Sequence, residues 1–86
     1  MRGVWIAVVS LLVSGVSALA EPKCNPASED KWLPEAEMRA KAAAMGYVVS
    51  VFKKTTGNCY EIYGKNASGK RVEVYFNPVT GEPIKQ

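Results

Sequence analysis

The stretch from Trp32 to Tyr63 changes its hydrophobic period once, at Gly46, and this constrains the fold more than any other feature of the chain. Before the change, Pro34 suits the first helical position, and Glu35 and Glu37 sit where a helix dipole favours negative charge. Ala36, Ala40, Ala42, Ala43 and Ala44 carry high helix propensity, with Glu35/Arg39 and Glu37/Lys41 spaced as i,i+4 ion pairs. Met38, Ala42 and Met45 make one apolar stripe, and Gly46 is the residue expected to close the helix in the left-handed conformation. After the change, Tyr47 to Lys53 is β-branched and aromatic and predicts a strand, although both of its faces are apolar and neither can be assigned inward.

Lys54-Thr55-Thr56-Gly57 reads as a turn, and Cys59 to Tyr63 as a second strand with Tyr60 and Ile62 on one face and Cys59, Glu61 and Tyr63 on the other. Gly64 to Gly69 is a further turn. Arg71 to Asn77 alternates cleanly, placing Val72, Val74 and Phe76 inward and Arg71, Glu73 and Tyr75 outward. Asn77-Pro78-Val79-Thr80-Gly81 is a type I turn signal, from which Glu82 to Lys85 could return as a fourth strand restricted to an edge by Pro83. The fold class is α+β: one N-terminal helix packed on a three- to four-stranded antiparallel meander.

Met1 to Ala20 has the pattern of a signal peptide, with Arg2, an apolar run from Val4 to Val13 and a small-x-small site at Ala18-Leu19-Ala20. Ser10, Ser14, Gly15 and Ser17 break the run, which argues against a spanning helix and so against stable membrane insertion once the leader is cut. The expected organisation is leader 1–20, an extended arm 21–31 carrying Pro22 and Pro26, and a folded domain 32–86, in an exported, periplasmic or secreted protein. Cys24 and Cys59 both follow the leader, and an even cysteine count in an oxidising compartment predicts a disulfide between them. The alternative, a redox or metal pair, lacks Cys-x-x-Cys spacing, and the chain has no His. A mature chain so short sits near the size where a lone core is marginal, so one cross-link matters.

The formal net charge of +3 includes Arg2, so the processed chain would stand near +2 with both signs interspersed, which does not suit nucleic acid. Without His the usual general base for a nucleophilic hydrolase is missing; Glu61 and Glu73 read as solvated outward residues, and no acidic loop suits a hard metal. Neither catalytic residues, nor cofactor, nor metal ligands are assigned, and the chain is not expected to be an enzyme. Asn66-Ala67-Ser68 matches the glycosylation acceptor pattern. The residues available for recognition are Trp32, Tyr63, Tyr75, Arg71 and Glu73, an amphipathic set compatible with binding a polypeptide at a sheet edge or bare face and equally with an ordinary surface. Trp32, beside a helix start, nevertheless reads first as a packing residue that buries its ring at the helix entrance.

Trp32-Leu33-Pro34, Met45-Gly46-Tyr47, Asn58-Cys59-Tyr60-Glu61-Ile62-Tyr63 and the run Gly69 to Glu82, with its Asn-Pro-x-Thr-Gly-Glu turn, resemble the PepSY domain family in its small exported single-domain branch. The resemblance covers roughly Trp32 to Ile84 and consists of packing and turn motifs. It implies a non-enzymatic module outside the cytoplasm, either peptidase-modulating or more generally protein-binding, with any target supplied in trans. A second reading is a small-molecule or cofactor-binding envelope protein using Trp32, Tyr60, Tyr63 and Tyr75, favoured by a concave pocket of about 300 Å³ or more lined by those rings.

Overall fold

A computed structural model describes residues 21–85; the expected leader lies outside the described residues. The 3-10 turn Glu29–Lys31 leads into helix α1, Glu35–Ala44, followed by strands β1, Val48–Lys54, β2, Tyr60–Lys65, and β3, Arg71–Phe76. The strands form one antiparallel sheet in the order β1-β2-β3, so β2 is central.

Helix α1 stops where the sequence predicts, and the mechanism is visible in its hydrogen bonds. Gly46 takes φ +96°. Its N–H donates to Ala43 O at 2.9 Å, and the Tyr47 N–H donates to Ala42 O at 3.1 Å, the paired bonds of a Schellman cap. Met38 and Ala42 are fully buried, but Met45, expected on the same stripe, is 42% exposed because the chain is already turning away there. Arg39 Nε donates to Glu35 Oε2 at 2.8 Å. Lys41 does not pair with Glu37; its alkyl chain lies against Gly81, whose φ of +80° and lack of a Cβ admit it.

The core forms between α1 and one face of the sheet, from Trp32, Met38, Ala42, Tyr60, Ile62 and Phe76, with Leu33, Tyr47, Val49, Phe52, Val74 and Val79 packed around them. Phe76, Met38 and Ile62 leave water completely, each contributing about 1.5–3 kcal/mol. Tyr60 stands edge-on to Trp32, with ring centroids 5.3 Å apart, and its hydroxyl donates to Leu33 O at 2.6 Å.

Strand β2 runs two residues further than the sequence suggests, because Gly64 and Lys65 stay in the ladder opposite Val49 and Val48. The register shifts between Val49 and Val51, a bulge that lets the Val48 carbonyl approach Gly64 so closely that a Cβ there would lie 1.9 Å from it. The fourth strand expected over Glu82 to Lys85 does not form. After the turn, the chain makes a single bridge, Phe76 to Pro83, with Asn77 N–H donating to Glu82 O and Ile84 N–H to Tyr75 O, each at 2.8 Å. Pro83 has no N–H with which to extend the ladder.

Segment 21–31 is a strap along one end of the sheet. A disulfide joins Cys24 to Cys59. The Cys24 N–H donates to Gly57 O at 3.0 Å, and Gly57 has no side chain because the Pro22 carbonyl sits where its Cβ would be. Further on, Asn25 Nδ2 donates to Asn77 Oδ1 at 3.3 Å, and Trp32 Nε1 to Ala27 O at 3.1 Å. Cys59 lies just before β2, so the strap rounds the sheet at the β1–β2 turn and reaches the helix without crossing the face away from it.

Candidate functional site

The face opposite α1 has no described helix or strand over it. Alternation along the strands fixes what it carries, and the register sets the residues in three rows: Lys53, Glu61 and Tyr75; Val51, Tyr63 and Glu73; Val48, Lys65 and Arg71. Two tyrosines and two glutamates therefore form a checkerboard on β2 and β3, with Glu61 diagonal to Glu73 and Tyr63 diagonal to Tyr75.

Glu61 is the unusual member. It occupies the central strand, and its neighbours leave it 1% exposed although it faces away from the core. Neither carboxyl oxygen makes a hydrogen bond of good geometry, although the Tyr63 and Tyr75 hydroxyls and the Glu73 carboxyl lie close enough to act on its charge. Lys53 Nζ stands 3.9 Å from Oε1, beyond hydrogen-bond reach, and rests 5.4 Å above the centroid of Tyr63. Glu73 is exposed and accepts a hydrogen bond at Oε2 from the Tyr75 hydroxyl at 2.9 Å. Burial raises the Glu61 carboxyl above the ordinary carboxylate range, helped by Glu73 beside it. Glu73 is lowered, first through its interaction with Glu61 and then by the Tyr75 hydroxyl, so the more exposed acid of the pair holds the charge. The Glu61 carboxyl beside Tyr63 pushes that phenol up to about 12, and burial with Glu73 pushes Tyr75 up further.

Of the residues singled out in the sequence, Tyr63, Tyr75, Arg71 and Glu73 share this face, as their alternation implies. Trp32 is apart from them, 9% exposed in the core on the helix side. Tyr75 is itself buried to 7%, leaving Tyr63, at 39%, as the accessible ring. Glu61, expected to be solvated, is enclosed; the available signal was its place on a central strand between Tyr60 and Tyr63, opposite the Glu73-Val74-Tyr75 run. A depression of about 500 Å³ lies at the other end of the face, lined by Ser50, Tyr63, Gly64, Lys65, Arg71, Val72 and Glu73. Of the four rings weighed for a small-molecule site, it contains Tyr63. Among the described residues no group of three potential metal ligands converges, and no helix is long and apolar enough to cross a membrane.

These features define a class: a small, disulfide-strapped domain in which one sheet face is packed by a helix and the other, among the described residues, has no helix or strand over it, with an acidic–aromatic cluster at its centre. The family model for the peptidase propeptide and YPEB domain, PepSY, matches residues 4–86, and the chain belongs to that family. No curated protein and no solved structure matches it.

Proposed function

We propose that this chain is an exported, non-catalytic module that binds a protein partner through its bare sheet face and the adjoining β1 edge, and that the partner is a peptidase it inhibits or regulates. The observation that carries the reading is where the exposed apolar surface falls. Val48 at 64% exposure, Val51 at 48% and Tyr63 at 39% lie together on the uncovered face beside the outer strand β1. A further partner strand can pair along that edge, or a partner surface can close over the face. Membership of a family described by its peptidase propeptides supports a peptidase as the class of target. The disulfide and the leader pattern favour action outside the cytoplasm.

The test is capture of partners from an envelope extract by disulfide-intact residues 21–86, set beside Val51→Asp and Tyr63→Asp, with peptidase activity assayed on whatever is retained. The reading expects a retained protein whose capture both variants weaken and whose peptidase activity the domain alters. Capture indifferent to both substitutions, or retained protein whose peptidase activity the domain leaves unchanged, would sink it.

A further inference from the structure

The buried carboxyl of Glu61 carries a cost that Lys53 at 3.9 Å and the nearby Tyr63 and Tyr75 hydroxyls offset only in part. Enclosing a carboxyl group that makes no hydrogen bond is unfavourable, and a domain of this size has little stability to spare. Glu61 does not serve the core, because it points to the other side of the sheet. The cross-strand register puts Glu73 on the diagonal from it, at a Cα separation of roughly 7–8 Å, so one planar group lying between them reaches both carboxyls. Tyr63 and Tyr75 occupy the other two corners. Tyr75 already steers Glu73 through its hydroxyl.

The free protein supplies an imperfect substitute for the missing group. The Lys53 ammonium sits over the Tyr63 ring and points toward Glu61 Oε1, yet stops at 3.9 Å. Its side chain is 51% exposed and free to swing away. A guanidinium is better matched than an ammonium: it is flat, stacks on an aromatic face, and donates in a fork to two carboxylate oxygens at once. The flanks say what carries it. Val51 and Val48 stand exposed in the next two rows, which suits the side chains of an extended segment on either side of the cation.

We propose that Glu61 and Glu73, walled by Tyr63 and Tyr75, form an anchoring site for an arginine side chain on an extended segment of a partner polypeptide, which displaces Lys53 as it enters. The proposal rests on the open-face reading of the previous subsection and names the chemistry that the partner must bring.

The probe is an acetylated, amidated pentapeptide with arginine at its centre and valine on both sides, compared with the same peptide carrying citrulline, a neutral isostere. Titration into disulfide-intact residues 21–86 is followed by amide chemical shifts. The arginine peptide should move Glu61, Tyr63, Glu73 and Tyr75 and bind about tenfold tighter than the citrulline peptide, and Glu61→Gln or Glu73→Gln should each remove about that factor. Glu61→Gln should also melt at least as high as the parent at neutral pH, because it removes the cost of ionising an enclosed carboxyl. Equal affinity for the two peptides, no shifts at these residues up to ~10 mM peptide, or a lower melting temperature for Glu61→Gln overturns the proposal. A partner captured through Val51 and Tyr63 but indifferent to Glu61→Gln and Glu73→Gln would refute the arginine anchor while leaving the open-face reading intact. Failure to capture any partner would refute that reading, and the peptide titration would still decide the anchor.

Discussion

Removing the disulfide, by Cys24→Ala with Cys59→Ala or by reduction, should cost this domain a large share of its stability. The two cysteines are 35 residues apart in sequence, and closing a loop of that length in the unfolded chain is worth about 4 kcal/mol in the chain-entropy model. A domain of ~65 ordered residues has a total stability of about 3–10 kcal/mol, so the loss is a large share of the whole. In thermal terms, 4 kcal/mol corresponds to a fall of roughly 15–30 °C at this size. The loss should also have a place. With the bridge gone, the strap keeps the hydrogen bond from Cys24 N–H to Gly57 O and the Asn25–Asn77 contact, both at its surface end, whereas Trp32 remains fixed in the core. Thermal melts of the oxidised and reduced protein, with amide exchange read at residue 24, measure both effects. Midpoints within about 4 °C of each other would mean that the strap is held by packing and the loop-closure argument does not apply here.

Gly64→Ala should destabilise by about 1–3 kcal/mol in a urea melt, because the new Cβ meets the Val48 carbonyl at 1.9 Å and the bulge must open to admit it. Tyr60→Phe should cost about 1 kcal/mol by the same measurement, since the hydroxyl that donates to Leu33 O at 2.6 Å has no substitute there. The pH dependence of stability should bear the mark of Glu61. A carboxyl raised in the folded state contributes stability that is fully present below its ordinary unfolded value and is lost as pH rises through the folded one. Glu73, lowered by its neighbours, contributes in the opposite sense, with stability present above the ordinary value and lost as pH falls. Stability measured by denaturant at a series of pH values should thus decline as pH climbs from the ordinary carboxyl range towards neutral. Glu61→Gln should abolish that decline, and an unchanged slope in the variant would refute the assignment to Glu61.

What the sequence made legible was the local chemistry. Gly46 announced the end of α1 because one residue type takes a positive φ at little cost, and the cap formed as its position implied. The alternation of Arg71 to Phe76 and of Tyr60 to Tyr63 divided the side chains correctly between the two faces, since a period of two leaves no other choice on a pleated strand. What was not legible depended on pairings between distant segments. The bulge at Val49/Val51 and the extension of β2 through Gly64 and Lys65 exist because β1 and β2 lie side by side, and no local signal specifies them. Trp32 reads as a packing ring at the helix entrance and is one, but nothing in its neighbourhood says that Tyr60, 28 positions on, will stand against it. Glu61 looked solvated although the expected meander already put its strand in the middle; what local reading does not show is that Lys53, Tyr63, Glu73 and Tyr75 close around it.

The two faces of the sheet obey different accounts of stability. On the helix side every large side chain that leaves water gains from doing so, and the polar atoms that go with it are matched: the Tyr60 hydroxyl finds Leu33 O and the Trp32 indole finds Ala27 O. On the other side the same domain encloses a carboxyl that makes no hydrogen bond of good geometry, sets Lys65 directly opposite Arg71, and leaves Val48 and Val51 in water. Like charges opposed across strands destabilise a sheet, as does an unpartnered buried acid. Neither arrangement improves the packing of the core, so replacing these residues should leave the fold unharmed or firmer. A chain near the lower size limit for folding gains nothing from carrying such costs by itself. A partner that brings a cation to Glu61, a carboxylate to Lys65 and Arg71, and apolar cover to the two valines would relieve all of them together.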